Sequence, residues 1–284
     1  MTTHEHTGEH EVFERTWRGH AAFYNDGEPA GCRSFHELWE NVKFRRLDLL
    51  LPHAPQRSLE VGCGSGGVSL YLHNRHGYVP TLTDLSEAAL GFARANFERN
   101  ARRPDWRQVA RFEKADALHL PYADASYDVV MSFGLLEHFD DIGRAIAEQM
   151  RVLRPGGVFL ADIVTARFSV DTLGRFPAHA RKAVKSLLRG DLRSATRAGD
   201  PGFFENRQPL RAYAAAVEAA GGRVTHALGN RPFAEPVGVP LLPAALLALY
   251  KTAPMQSLWR AFDLSGSAFS KWWGAGWWLL AEKR

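Results

Sequence analysis

The chain has few cysteines and no long apolar run. Its 284 residues include only Cys32 and Cys63, which are too few for a disulfide framework and lack metal-ligand spacing. We therefore expect a protein of a reducing, cytoplasmic compartment. The longest apolar run, residues 237–250, contains Pro240 and Pro243 and is shorter than the roughly 20 residues that cross a bilayer. A transmembrane helix is not expected.

The chain also has no strong excess of one charge. The formal net charge is +4 and the isoelectric point about 9.2, which is mild enough to reflect solvation alone. No basic run is interleaved with aromatic residues, so we expect no nucleic-acid partner. The first residues lack an apolar core and so predict no secretory signal, and their histidines, His4, His6 and His10, are typical of a solvated tail.

Segments of strand and helix pattern alternate along the middle of the chain. Strands are predicted at residues 58–61, 79–83, 109–114, 127–132 and 157–164, and helices at 68–73, 86–99 and 142–153. A further helix at 210–220 precedes strands at 223–228 and 277–282. This alternation indicates βαβ units. The predicted fold is α/β, a Rossmann-like and mostly parallel seven-stranded sheet with helices on both faces.

The predicted core is interrupted by segments that do not follow this rhythm. We expect a core at residues 47–164, 208–230 and 277–284, and a helical cap built from the remainder. The cap would comprise residues 1–46, a cationic insertion at 165–207 and an apolar, otherwise irregular insertion at 231–276.

A glycine-rich turn follows the first predicted strand. Gly62, Gly64 and Gly67 spell G-x-G-x-x-G, typical of dinucleotide sites, whereas Gly62, Gly64 and Gly66 spell G-x-G-x-G behind Glu60. Both cofactor classes use such a turn to bring backbone N–H groups close to a ligand. The acidic residue favours a ligand with an ammonium group over a pyrophosphate.

Carboxylates also close the next two strands. Asp84 ends the second strand, where a carboxylate binds ribose hydroxyls, and Asp116 follows the third, where it could accept from an adenine amine. Either aspartate could instead cap a helix or a turn.

Together with the segments at 128–140 and 151–157, these residues resemble the class I S-adenosylmethionine-dependent methyltransferases, in particular the bacterial small-molecule group. The resemblance spans roughly residues 47–164 and implies S-adenosyl-L-methionine as cofactor. It implies that Glu60, Gly62 and Gly64 frame the methionine part, that Asp84 binds the ribose and that Asp116 binds the adenine amine. The other implied cofactor residues are Tyr24 over the carboxylate end, Cys63 and Gly66 in the turn, Leu85 and Ala117 at the adenine, and Ser132 and Phe133 beside the methyl group.

His138 is the leading candidate for a general base, because it follows the fourth strand at the predicted cofactor site and histidine titrates near neutral pH. The alternative is a structural role for Glu137 and His138, either capping a helix that begins near Asp140 or contacting the cofactor. The metal-binding pattern E-x-x-E-H is incomplete because its first position is Gly134, so no metal is expected. The histidines at 119, 179 and 226 are weaker candidates.

The resemblance implies an enzyme that methylates oxygen or nitrogen of a small molecule. The two insertions suggest an apolar or aromatic acceptor that carries a carboxylate or phosphate, a surface that meets a lipid-linked acceptor at the membrane, or packing alone. An NAD(P)-dependent oxidoreductase and a non-catalytic S-adenosylmethionine-binding subunit are the alternatives. The oligomeric state is not predicted.

Overall fold

A computed structural model describes residues 24–165, 167–174, 176, 178, 180, 181, 204–235 and 242–284. The N-terminal histidines, His179 and most of the cationic insertion lie outside the described residues.

The described chain alternates strands and helices in the predicted order. The strands are β1 Arg57–Val61, β2 Val79–Asp84, β3 Arg111–Lys114, β4 Tyr127–Phe133, β5 Leu153–Ile163, β6 Gly222–Asn230 and β7 Gly276–Lys283. The α-helices are α1 Phe35–Leu50, α2 Gly67–His76, α3 Glu87–Asn100, α4 Trp106–Val109, α5 Ile142–Val152, α6 Leu210–Ala219, α7 Leu242–Tyr250, α8 Ala253–Asp263 and α9 Ala268–Trp273. Short 3₁₀ turns lie at Pro29–Gly31 and Leu136–His138.

The seven strands form one sheet in the order β3-β2-β1-β4-β5-β7-β6. β1 to β5 pair in parallel, whereas β7 runs antiparallel to both β5 and β6. The predicted mostly parallel, seven-stranded sheet is confirmed. The chain order reverses between β1 and β4, and in open α/β sheets ligands bind at such a switch point, outside the carboxyl ends of the strands.

Apolar side chains of the central strands cover both faces of the sheet. In β4, Val130 belongs to the cluster that packs under α5 and α6, while Val129 and Met131 belong to the cluster that packs under α1 and α2. Both faces are therefore buried, as is usual for parallel strands covered by helices.

Local sequence signals set the helix ends. Ser86 precedes α3, and its hydroxyl accepts from the Ala89 N–H at 3.0 Å, so the predicted N-cap is confirmed. The strand predicted at residues 109–114 is longer than the observed one. Trp106–Val109 form one helical turn, and β3 begins only at Arg111.

The second insertion is more regular than its sequence pattern indicates, since it forms α7, α8 and α9. A buried ion pair between Arg46 of α1 and Asp263 of α8, 3.0 Å apart, joins this insertion to the N-terminal helix. Asp263 also accepts from the Arg231 N–H at 3.2 Å. The division of the chain into core and cap segments stays a prediction.

Candidate active site

The predicted cofactor residues of the core come together at the carboxyl edge of the sheet. Parallel register places Val61 beside Thr83 and Ser132, and Asp84 beside Lys114. The glycine turn therefore lies between the tips of β2 and β4.

The glycine turn depends on backbone conformations that favour glycine. Gly62, Gly64 and Gly66 have φ values of 67°, 49° and 64°, in the left-handed region. A methyl group on Gly66 would also lie 2.7 Å from the side chain of Leu82. Gly66 is thus needed for packing of the turn on β2, and Cys63 is buried within it.

Glu60 lies beneath the turn rather than on its surface. Its carboxylate accepts from the N–H and the hydroxyl of Ser69, at 3.0 and 2.5 Å, at the first turn of α2. The side chain is buried, and burial raises its pKa to about 7. Glu60 therefore anchors the start of α2, and its contact with a ligand stays a prediction.

Asp84 connects the turn to the following helix. One carboxylate oxygen accepts from the Gly64 N–H at 3.1 Å and the other from the Ser86 N–H at 2.9 Å. The next side chain, Leu85, is 50% exposed at the strand tip. An apolar side chain in this position fits a flat heterocycle stacked upon it.

Asp116 begins a short loop at the β3 side of the edge. One oxygen of its carboxylate accepts from the Leu118 N–H at 2.9 Å and so caps the turn, as the alternative role predicts. Ala117 is buried, whereas His119 is exposed and lies 3.4 Å from the other Asp116 oxygen. A contact of Asp116 with adenine stays a prediction.

Ser132 and Phe133 lie on the β4 side of the turn, whereas Tyr24 lies between α1 and α2, where its hydroxyl accepts from the Asn74 amide at 3.3 Å. The Ser132 hydroxyl is buried and has no hydrogen-bond partner within the described residues, a state that a bound ligand would relieve. Tyr24 packs on Phe44 at a ring-centroid distance of 5.6 Å and donates to Asp26 at 3.1 Å. Tyr24 therefore contacts α1.

Glu137 and His138 occupy the 3₁₀ turn after β4. They do not cap the following helix, since the Asp141 carboxylate accepts from the Arg144 N–H there. Glu137 is buried, accepts from the Val164 N–H at 3.1 Å, and burial raises its pKa to about 8. His138 Nδ1 lies 2.7 Å from the carbonyl oxygen of Phe204, to which it donates.

A family model described as a methyltransferase domain matches residues 59–161, the segment that carries the turn and the strand tips. Residues 59–161 are a class I S-adenosylmethionine-dependent methyltransferase domain. This family uses S-adenosyl-L-methionine as cofactor, which decides between the two ways of reading the glycine pattern.

Curated relatives match part of the chain. Methyltransferase GfsG of Streptomyces halstedii is 32% identical over 194 residues, covering 61% of this chain and 65% of the relative. The 27-O-demethylrifamycin SV methyltransferase of Amycolatopsis mediterranei is 40% identical over 113 residues, covering 39% of this chain and 40% of the relative. The chain thus spans less than two thirds of either relative.

The fold extends beyond the matched segment. The structure of a candidate sarcosine dimethylglycine methyltransferase from Galdieria sulphuraria superposes with a TM-score of 0.55 at 16% identity, covering 97% of this chain and 98% of that chain. This likeness shows the fold alone.

The methyltransferase domain is accompanied by two charged residues that sequence analysis missed. Glu40 and Lys43 of α1 lie at the glycine turn, with Lys43 Nζ 5.2 Å from the centroid of the Phe133 ring. Their helix shows only a core-facing pattern in sequence, so nothing in the spacing of the motif points to them.

Two further observations concern metals and membranes. Within the described ranges, no group of three or more histidine, cysteine, aspartate or glutamate side chains could hold a metal ion. Among the helices described, none is long and apolar enough to span a bilayer.

Proposed function

We propose that the chain transfers the methyl group of S-adenosyl-L-methionine to an oxygen or nitrogen atom of a small-molecule acceptor. The observation that carries the proposal is the alignment of the glycine turn, Asp84, Asp116 and Phe133 along one edge of the sheet, at its switch point. The residues present fit the cofactor, because the Asp84 carboxylate, the exposed Leu85 and the Ser132 hydroxyl match the groups of a nucleoside. That hydroxyl has no partner in the part of the chain that the structure describes.

The main task of the residues at this edge would be to hold the cofactor and the acceptor in alignment. The cofactor, when bound, supplies a methyl group on positively charged sulfur. Asp84 would hold the ribose, Leu85 and Asp116 the adenine, and the turn from Gly62 to Gly66 the methionine part. Phe133 would exclude water beside the acceptor, and alignment of this kind supplies much of the rate of a transfer between two bound molecules.

His138 would take the proton from the acceptor. Its Nδ1–H donates to the Phe204 carbonyl, and in a neutral imidazole this leaves Nε2 as the basic nitrogen. A base is needed when the acceptor atom carries a hydrogen that must leave.

An apolar or aromatic acceptor is supported by the Phe133 ring, which is half-buried at the tip of β4. Arg167 of the cationic insertion has a structural task instead, because its guanidinium donates to the Trp272 carbonyl at 2.6 Å and also to that of Gly274. The name of the rifamycin relative likewise refers to an oxygen acceptor.

The proposal is tested by calorimetry and turnover. We expect the full chain to bind S-adenosylhomocysteine and to form it from S-adenosylmethionine with at least one compound in a panel of aromatic hydroxyl and amine acceptors. Binding of NADPH in place of S-adenosylhomocysteine would support the oxidoreductase. Tight binding of S-adenosylhomocysteine without turnover of any panel member would support the non-catalytic subunit.

An acceptor linked to lipid is the second candidate, favoured by an exposed aromatic cluster. Phe168, Phe269 and Trp272 are 52%, 59% and 54% exposed, and the Trp272 ring lies 6.0 Å from Phe168 and 6.2 Å from Phe269. The cluster lies at the carboxyl edge of the sheet, where β7 starts beside Ile163. Exposed tryptophan and phenylalanine next to cations are typical of interfacial surfaces.

Vesicle co-sedimentation separates the two candidates. If the acceptor is lipid-linked, the chain should sediment with phosphatidylglycerol vesicles, and a double Phe269→Ser and Trp272→Ser variant should not. Leu49→Ser is the matched control, since Leu49 is an exposed apolar residue of α1. Equal sedimentation of the double variant and the control would exclude this surface.

A further inference from the structure

Glu40 and Lys43 form an ion pair that is unusually sheltered for surface residues of a helix. Lys43 Nζ lies 2.7 Å from Glu40 Oε1, and the two side chains are 17% and 20% exposed. Such i, i+3 pairs stabilise an open helix surface only weakly, and burial adds a desolvation cost. The ion pair therefore contributes little to the stability of the helix, which favours another role for the two residues.

The pair stands over the glycine turn. A methyl group on Gly67, the first residue of α2, would lie 3.8 Å from Glu40 Oε2, and Lys43 Nζ lies above Phe133 at the tip of β4. The two charges thus face the region between the turn and β4, on the side away from Asp84 and Leu85. In the proposed function this side holds the amino-acid end of the cofactor.

Glu60 is not suited to recognise that end alone. Its carboxylate is buried and one oxygen accepts both donors of Ser69. Glu40 is the more exposed carboxylate, and Lys43 adds a cation with three donors, one of which is directed to Glu40.

We propose that Glu40 and Lys43 together bind the zwitterionic end of S-adenosyl-L-methionine, Glu40 taking its ammonium group and Lys43 its carboxylate. The mutual ion pair is exchanged for two pairs of opposite charge with the cofactor, so no net charge is left unpaired. This inference rests on the proposed function, and it makes α1 a part of the cofactor site.

Calorimetry with three ligands tests the assignment. S-adenosylhomocysteine carries both charged groups, its decarboxylated amine analogue keeps only the ammonium, and 5′-methylthioadenosine has neither. We expect Lys43→Met to weaken S-adenosylhomocysteine about 10- to 100-fold, the range for a charged hydrogen bond, and to leave 5′-methylthioadenosine unchanged. The amine analogue should not be weakened, because its ammonium no longer displaces Lys43 from Glu40. Glu40→Gln should weaken the first two ligands and leave 5′-methylthioadenosine unchanged.

Matched controls come from a second ion pair of the N-terminal region. Arg45 and Glu28 lie 3.0 Å apart and are more exposed, so Arg45→Met and Glu28→Gln should not change the affinity for any of the three ligands. Equal weakening of all three ligands by Lys43→Met, or no weakening by either variant, would overturn the assignment. If the unmodified chain binds 5′-methylthioadenosine but not S-adenosylhomocysteine, the assignment fails as well. If the unmodified chain binds none of them, the proposed function itself fails.

Discussion

Asp84 has two tasks at the site, because its carboxylate supports the turn and faces the position proposed for the ribose. Asp84→Asn keeps one carbonyl oxygen but removes the charge, so the Gly64 and Ser86 N–H groups compete for it. We expect affinity for S-adenosylhomocysteine, measured by calorimetry, to fall about 10- to 100-fold. Asp124→Asn is the control, since that side chain is exposed and pairs with Arg151; equal losses in both variants would contradict a role at the ribose.

His138 is tested by a substitution that preserves its structural hydrogen bond. His138→Asn retains a donor for the Phe204 carbonyl, because its amide nitrogen replaces Nδ1, but it has no basic nitrogen. With an acceptor identified in the panel, we expect kcat to fall about 10²- to 10⁴-fold and S-adenosylhomocysteine affinity to stay unchanged. His226→Asn, at an exposed position of β6, should have full turnover. An unchanged kcat in His138→Asn would remove His138 from the mechanism.

At the residue scale, the sequence predicted the residues that belong to the strand tips and missed those that depend on packing. Asp84 follows directly from a strand end, so local pattern is sufficient for it, whereas Phe133 was implied by the family resemblance. Glu40 and Lys43 reach the turn only because α1 packs on α2 and on one face of β4, a contact between distant segments. Glu60 was predicted from its position, but its bonds to Ser69 depend on how α2 leaves the turn.

At the element scale, the glycine turn offers a matched pair of substitutions. Gly66→Ala places a methyl group at a positive φ and 2.7 Å from Leu82, whereas Gly67→Ala places it at ordinary contact distances in the first turn of α2. We expect Gly66→Ala to lower the free energy of unfolding by about 1–3 kcal/mol and Gly67→Ala to change it by less than about 1 kcal/mol. Urea denaturation measures both; a Gly66→Ala chain as stable as Gly67→Ala would contradict the packing argument.

The core elements were predictable from sequence because their apolar periods are strong, as in β4 and α5. The second insertion was not, although α7 to α9 occupy most of it. The run of apolar residues at 242–250 gives no helical face, and Pro254 and Gly266 interrupt the pattern near the ends of α8. Tertiary contacts, such as those of Asp263 with Arg46 and Arg231, hold these helices in place. Contacts between distant segments are not visible in the local sequence pattern.

At the scale of the whole molecule, several buried carboxyl groups connect stability to pH. Burial raises the pKa of Glu137 to about 8 and that of Glu60 to about 7, and it also raises that of Asp263 against the opposing effect of Arg46. The folded chain therefore holds protons that the unfolded chain releases near pH 4 to 4.5. The stabilisation is complete below that pH and is lost as pH rises toward 8, by at most about 1.4 kcal/mol per pH unit for each group.

Glu137 provides the clearest test of this linkage, because one of its oxygens is buried without a partner among the described residues. Urea denaturation of the unmodified chain should show a lower free energy of unfolding at pH 8.5 than at pH 5.5. In Glu137→Gln, which cannot ionise, this difference should shrink by on the order of 1–3 kcal/mol. Glu218→Gln, at an exposed position of α6, should keep the full difference. If Glu137→Gln keeps it as well, the carboxyl group is ionised in the fold at pH 5.5, and the source of the pH dependence lies in Glu60 and Asp263.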